Sequence, residues 1–342
     1  MRILEPKFEI LTQEPNLGLL GVFQMIKTAG QTCYDSESKR TPKEFVDMLI
    51  KSGHGAMLEH GTIYLKLEIT KDNCTKAFEY KSAGFTAHYN WTNVVGYIGA
   101  KYRDNQYSFV HHVFSGTKNN PIHTYYITTN YRVIIENGWE EDLQFITAPT
   151  EYHEKRVTVR FTTQIAISRE YNRHRVDSIA DDSDSITNTS IAEQSTRYCN
   201  YSKDKYNGQV SIVKPTWVDL SKHEGLEYML ANGGSEQFLR NSCQAIFNGL
   251  DKEEWSDILY WLFGNLATEY AYINLIRLGR SPQEARTVLA LDTRTELVHT
   301  AFVSDWKHFF DLRALGTTGK PHPDAKVLAE PLMEEFKRLK LI

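Results

Sequence analysis

The chain has 342 residues, 41% hydrophobic and 24% charged, which suits a globular protein with a core that needs no disulfide or structural metal. A net charge of −4 argues against wholesale nucleic-acid binding, so any anion site must be a local concentration of cations. No apolar run has the length of a membrane span, and Met1 to Pro15 lacks a signal-peptide core, so a cytoplasmic protein without membrane partners is expected.

The first clear element opens at Thr41-Pro42-Lys43-Glu44. Threonine at the cap, proline at the first helical position and glutamate two residues later form a capping-box start. Phe45, Met48 and Leu49 share the face that follows, and Gly53 is a plausible stop. Ile63 to Ile69 alternates apolar and polar residues as a half-buried strand does, and Val157 to Phe161 repeats the pattern. The Tyr-, Asn-, Thr- and His-rich stretch between them reads as short strands and loops. From Thr163 to Arg173 the pattern turns helical, and the polar residues 176–192 read as a loop.

The C-terminal half reads as helical. Glu253–Leu278 carries Ile258, Leu262, Leu266 and Ile273 at helical spacing, and Ser281-Pro282-Gln283-Glu284 opens another capped helix. Further helices are predicted over Trp306–Arg313 and from Asp324 to Leu339, the last with Pro331 as a possible kink. Strands first and helices later point to an α+β fold, with an antiparallel or mixed central sheet and packed helices. Cys33, Cys74, Cys199 and Cys243 form no Cys-x-x-Cys pair, and free thiols are the simplest reading.

The most informative segment is Ser168-Arg169-Glu170-Tyr171-Asn172-Arg173-His174-Arg175. On a helix, Arg169 and Arg173 share a face, and arginine forks suit phosphates and carbonyl edges. Cations near a helix end also simply complement its dipole. The next motif, Glu193-Gln194-Ser195-Thr196-Arg197-Tyr198, tips the balance. A hydroxyl, backbone amides and an arginine in one short turn can grip a phosphate.

Arg-His-Arg followed by Glu-x-Ser-x-Arg-Tyr resembles the signature of the flavin-dependent thymidylate synthases. Other segments resemble that family in the right order: Gly30 to Tyr34, Ser52 to His60, Glu284 to Leu289, Phe309 to Arg313 and Pro321-His322-Pro323. The resemblance implies the family's α+β fold, a homotetramer with active sites where subunits meet, and one catalytic domain over residues 1–342. Residues 72–155 would be an insertion, and the spacer at 176–192 is longer than in most members. It further implies conversion of dUMP to dTMP, with methylenetetrahydrofolate as carbon donor and FAD reduced by NADPH as hydride donor. No cysteine nucleophile and no metal are expected.

Residue by residue, the resemblance assigns Arg173, His174 and Arg175 to the flavin, with Cys33, His54, Glu59, Glu193, His308 and His322 completing the FAD set. For His54 a capped turn between helix and strand is an equal reading. The dUMP phosphate falls to Ser195 and Arg197, helped by amides near Gln194 and Thr196, with Glu193, Arg169 and Arg286 beside them. Arg313 is the catalytic candidate, contacting the uracil edge and favouring anionic character that primes C5. Glu170 stands where many members place a glutamine that meets the nucleotide, and His308 where an asparagine is common. Three rivals stay open: a non-catalytic nucleotide- or RNA-binding protein, a metal-dependent hydrolase using His54, Glu59 and His60, and a family member that binds flavin without turnover.

Overall fold

The computed structural model describes residues 1–70, 100–173 and 189–342. In chain order its main elements begin with β1 (Arg2–Leu4), β2 (Lys7–Leu11), α1 (Leu19–Tyr34), α2 (Pro42–Lys51) and β3 (Thr62–Ile69). There follow β4 (Phe109–Gly116), β5 (Pro121–Asn130), α3 (Tyr131–Asn137), β6 (Arg156–Gln164), α4 (Ile165–Asn172), β7 (Ser190–Glu193) and β8 (Ser211–Val213). The C-terminal part comprises α5 (Glu224–Ala231), α6 (Ser235–Phe247), α7 (Asp251–Glu254), α8 (Asp257–Arg277), α9 (Pro282–Ala285), β9 (Arg294–Phe302), α10 (Val303–Phe310) and α11 (Pro323–Arg338). Among the described residues, no helix is long and apolar enough to cross a membrane.

The central sheet has the order β2-β6-β9-β7 and is antiparallel throughout. Side-chain alternation divides its two faces. Val159, Phe161, Leu297 and Ala301 pack with Trp306, Phe309 and the apolar stripe of α11 on one side. Val298 and Ala192 meet Ala29 of α1 on the other. α1 and α2 also cover a second antiparallel sheet, β3-β5-β4, through Val22, Ile26, Phe45 and Leu49. A third core joins β1, the parallel pair β1–β8 and α8.

A buried polar seam fixes the 3-10 turn Gly55–His60 to the central sheet. Arg156 is wholly buried and donates to the Glu59 carbonyl at 3.0 Å, Thr62 Oγ1 at 3.3 Å and Ser190 Oγ at 3.1 Å. Burial pulls its guanidinium down to about 10, still protonated at neutral pH. His60 Nδ1 meets Thr300 Oγ1 at 2.8 Å.

The capping boxes at Thr41 and Ser281 are present as predicted. The α+β class and the antiparallel central sheet also stand, joined among the described residues by a second antiparallel sheet and the parallel pair β1–β8. Other expectations are corrected. The stretch between the two predicted strands builds the long hairpin β4–β5 and the helix α3, because its Tyr, Thr and His side chains pack on a pleated surface as well as aliphatic ones do. The predicted loop at 176–192 ends in β7, which completes the central sheet. α1, unassigned from sequence, is a helix with one buried face. His174, Arg175, most of the spacer and residues 71–99 lie outside the described residues.

Candidate functional site

Two groups of ligand-type side chains emerge, both dependent on the central sheet. The first is the turn after β7. Ser195 N–H donates to the Cys33 carbonyl at 2.9 Å, docking the turn on the last turn of α1. The amides of Tyr198 and Cys199 fold back onto the Ser195 carbonyl at 3.1 and 3.2 Å, and that of Arg197 onto Ser195 Oγ at 3.3 Å. Ser195, Thr196 and Arg197 thereby share one tight bend. Arg286, from the 3-10 turn after α9, reaches the same bend and donates to Thr196 Oγ1 at 3.4 Å. Arg197 and Arg286 are both exposed. A bend bearing two hydroxyls and two arginines is suited to a phosphate dianion.

Not every predicted contact is available there. The Gln194 amide is committed to the Glu296 carbonyl at 2.7 Å, and its buried side chain accepts from Arg294 Nη1 at 3.1 Å. Of the amides expected to assist a phosphate, near Gln194 and Thr196, that of Gln194 is therefore spent on the fold, as is the Ser195 amide between them. Glu193 is likewise held from within. It accepts from Ser168 Oγ at 2.6 Å, Thr295 Oγ1 at 3.1 Å and Asn172 Nδ2 at 3.2 Å, which locks β7 to α4.

An aromatic group borders this bend. Tyr34 Oη lies 3.0 Å from His54 Nδ1, and its ring stands 5.5 Å from that of Tyr198, over which Arg197 rests. Tyr34 and His54 line one pocket, with Arg40 and Lys39 on its rim. Cys33 sits half-buried behind them. Burial pushes its thiol up, with Cys199 and Glu193 adding to the effect, so the nucleophilic thiolate is disfavoured. Glu59 lies elsewhere on the 3-10 turn, paired with Arg132 at 2.6 Å.

The second group lies between α4 and the segment after α10. Tyr171 anchors α4 by donating to the Ala325 carbonyl of α11 at 2.8 Å. That turns Arg169, Glu170 and Arg173 towards a π-helical turn, Asp311–Leu315, which ends at Gly316 with φ of 70° and carries Arg313. An irregular turn of this kind re-aims a side chain that a continuous helix would direct elsewhere. Arg313 donates to Glu170 Oε2 at 2.9 Å and to the Glu170 carbonyl at 2.8 Å. These residues, with Lys320 and His322, line an open cavity of about 980 Å³. His322 also caps α11, its Nδ1 accepting from the Asp324 amide at 3.2 Å. His308 sits half-buried on α10.

Sequence reasoning missed Arg294, which steadies Gln194 and lines a further cavity of about 990 Å³ beside α1, and Lys320. Neither stands in a motif. Both are brought to the site by chain reversals that leave no local signal.

A family model described as thymidylate synthase complementing protein matches residues 149–339. No curated protein matches the chain. Among solved structures, similarity extends to a UMP/dUMP methylase, PolB from Streptomyces cacaoi, bound with 5-Br dUMP. It shows 13% identity and a TM-score of 0.36, covering 99% of this chain and 93% of that one. Thymidylate Synthase X from Helicobacter pylori, solved with FAD and dUMP, shows 12% identity and a TM-score of 0.32, covering 54% of this chain and 70% of that one. The family assignment rests on the matched sequence span and not on these low scores. That span exceeds half of the chain and contains both arginine motifs, Arg286 and Arg313, so this chain belongs to the thymidylate synthase complementing protein family, the flavin-dependent thymidylate synthases.

Proposed function

We infer that the chain methylates dUMP to dTMP, with methylenetetrahydrofolate as carbon donor and FAD, reduced by NADPH, as hydride source. The observation that carries this reading is the meeting of Arg286 with the Ser195–Arg197 bend inside the family-matched span. In it, Ser195 Oγ, Thr196 Oγ1, Arg197 and Arg286 hold the dUMP phosphate. The phosphate fixes the nucleotide so that the uracil ring meets Arg313. A guanidinium donating to a uracil carbonyl stabilises charge that develops on the ring as C5 becomes the carbon nucleophile. Arg313 is suited to this because Glu170 fixes its orientation before substrate arrives.

The residues fit a flavin in kind. The Tyr34–His54–Tyr198 group offers aromatic faces, and the cavity at Arg173 and His322 offers cations and hydrogen-bonding groups. Bound and reduced, the flavin supplies the hydride that completes the methyl group. Arg173 and His322, with His174 and Arg175 next in sequence, would hold and polarise the ring, and His54 would approach it from another copy. The His54 side and the Arg173 side line different pockets of one chain, which supports a homotetramer whose copies complete each other's sites. Exposed Phe247, Tyr270 and Leu278 on the 224–278 helices supply apolar surface for such contacts. Residues 72–155 form an insertion within one catalytic domain in this reading.

The test is product formation. FAD-loaded protein given dUMP, methylenetetrahydrofolate and NADPH should yield dTMP, detected chromatographically. Absence of dTMP from fully loaded protein would sink the reading of an active synthase.

A further inference from the structure

A separate cavity of about 350 Å³ lies between β2, the N-terminal end of α1, the start of β6 and the residues that follow α11. None of its lining residues belongs to the nucleotide or flavin sets. Much of its wall is apolar, built from Ile10, Leu11, Val22, Ile146, Leu339 and Leu341. Its charge is one-sided. Arg156 and Lys155 line it, and among the described residues no aspartate or glutamate does. Lys155 is exposed, whereas Arg156 is buried and, with a pKa of about 10, stays charged at neutral pH.

The acceptors of Arg156 are all neutral: the Glu59 carbonyl, Thr62 Oγ1 and Ser190 Oγ. Its Nε has no acceptor among the described residues. Tyr64, also on the cavity wall, accepts from the Arg156 amide at 3.1 Å, and its own O–H is given to no described residue. A buried cation is costly without an opposite charge, and no described carboxylate stands within ion-pair distance of this one. We propose that this cavity binds a small monocarboxylate with an apolar tail, its carboxylate beside Arg156 and its tail against Ile146 and Leu341. A monoanion matches the single buried guanidinium. A phosphate dianion would bury a second charge with nothing opposite to balance it. The volume stands at the small end of ligand pockets, which span about 300–1,000 Å³, so a short chain fits better than a long one. The inference does not depend on the synthase reading.

The test titrates octanoate, octanol and octylamine into the full chain by calorimetry at neutral pH. Wild type should bind octanoate at one site, about 10- to 150-fold more tightly than octanol, as charge-assisted hydrogen bonds to a carboxylate require. Octylamine, which brings a like charge, should not bind. Leu341→Trp fills the cavity from the segment after α11 and should abolish octanoate binding. Lys155→Ala should weaken octanoate only a few-fold and keep the preference over octanol, because the buried Arg156 carries it. Wild type that binds no octanoate at millimolar concentration, or binds octanol equally well, would overturn the carboxylate site. Unchanged octanoate binding in L341W would place the ligand elsewhere and overturn the assignment to this cavity. Loss of the preference in K155A would give the recognition to the surface lysine and overturn the role of Arg156.

Discussion

His299 offers a quantitative test of the fold. It lies at the centre of β9, wholly buried, with its ring 4.5 Å from that of Trp306. Among the described residues, neither ring nitrogen has a hydrogen-bond partner. Burial, reinforced by His60, pushes its pKa from 6.5 down to about 3. The unfolded chain binds a proton at this residue below pH 6.5, and the folded chain does not until about pH 3. Stability is therefore undiminished above pH 6.5 and is lost progressively as pH falls towards 3. With these two values the loss from this residue between pH 8 and pH 5 is about 2 kcal/mol. Replacing His299 with leucine removes the titration and keeps an apolar side chain against Trp306. Urea unfolding of wild type and His299→Leu at pH 8 and pH 5 gives the comparison. Wild type should lose about 2 kcal/mol more than the variant on acidification, and the variant should be no less stable at pH 8, since no hydrogen bond is broken. Equal pH dependence in the two proteins would refute the burial of an unpartnered imidazole at this point in the sheet.

Other outcomes follow from the same geometry. Arg286→Ala removes one charge-assisted contact to the phosphate and should weaken dUMP binding by about 10- to 150-fold while FAD binding is unchanged; calorimetric titration with dUMP and with FAD checks both. Gly30→Ala places a methyl 2.7 Å from Phe45 Cε1, between α1 and α2. Overpacking of about 1–3 kcal/mol should outweigh the gain in helix propensity of about 1 kcal/mol, and urea unfolding should show a net loss.

Much of the site was legible because its chemistry is concentrated in short motifs. Ser195, Arg197 and Arg286 do come together at one bend. Arg313 and Arg173 do line one cavity. What sequence could not reveal was which groups the fold had already used. Glu193 and Gln194 look like ligands, yet their polar atoms hold β7 against α4 and β9. α1 carries Gly21 and Gly30, and both are glycine for packing: a Cβ at Gly21 would fall 2.1 Å from the Glu14 carbonyl oxygen, and one at Gly30 would strike Phe45. β7 is four residues long and half polar, and only its pairing with β9 makes it a strand.

The central claim is that this chain couples a flavin hydride to methylation of dUMP. The most direct measurement is the visible spectrum of FAD-loaded protein, reduced under anaerobic conditions and then mixed with dUMP, methylenetetrahydrofolate or both. The account predicts that the reduced flavin reoxidises, with dTMP formed in proportion, only when both are present. A protein that takes up no FAD, or a reduced flavin that stays reduced with both substrates supplied, would contradict it.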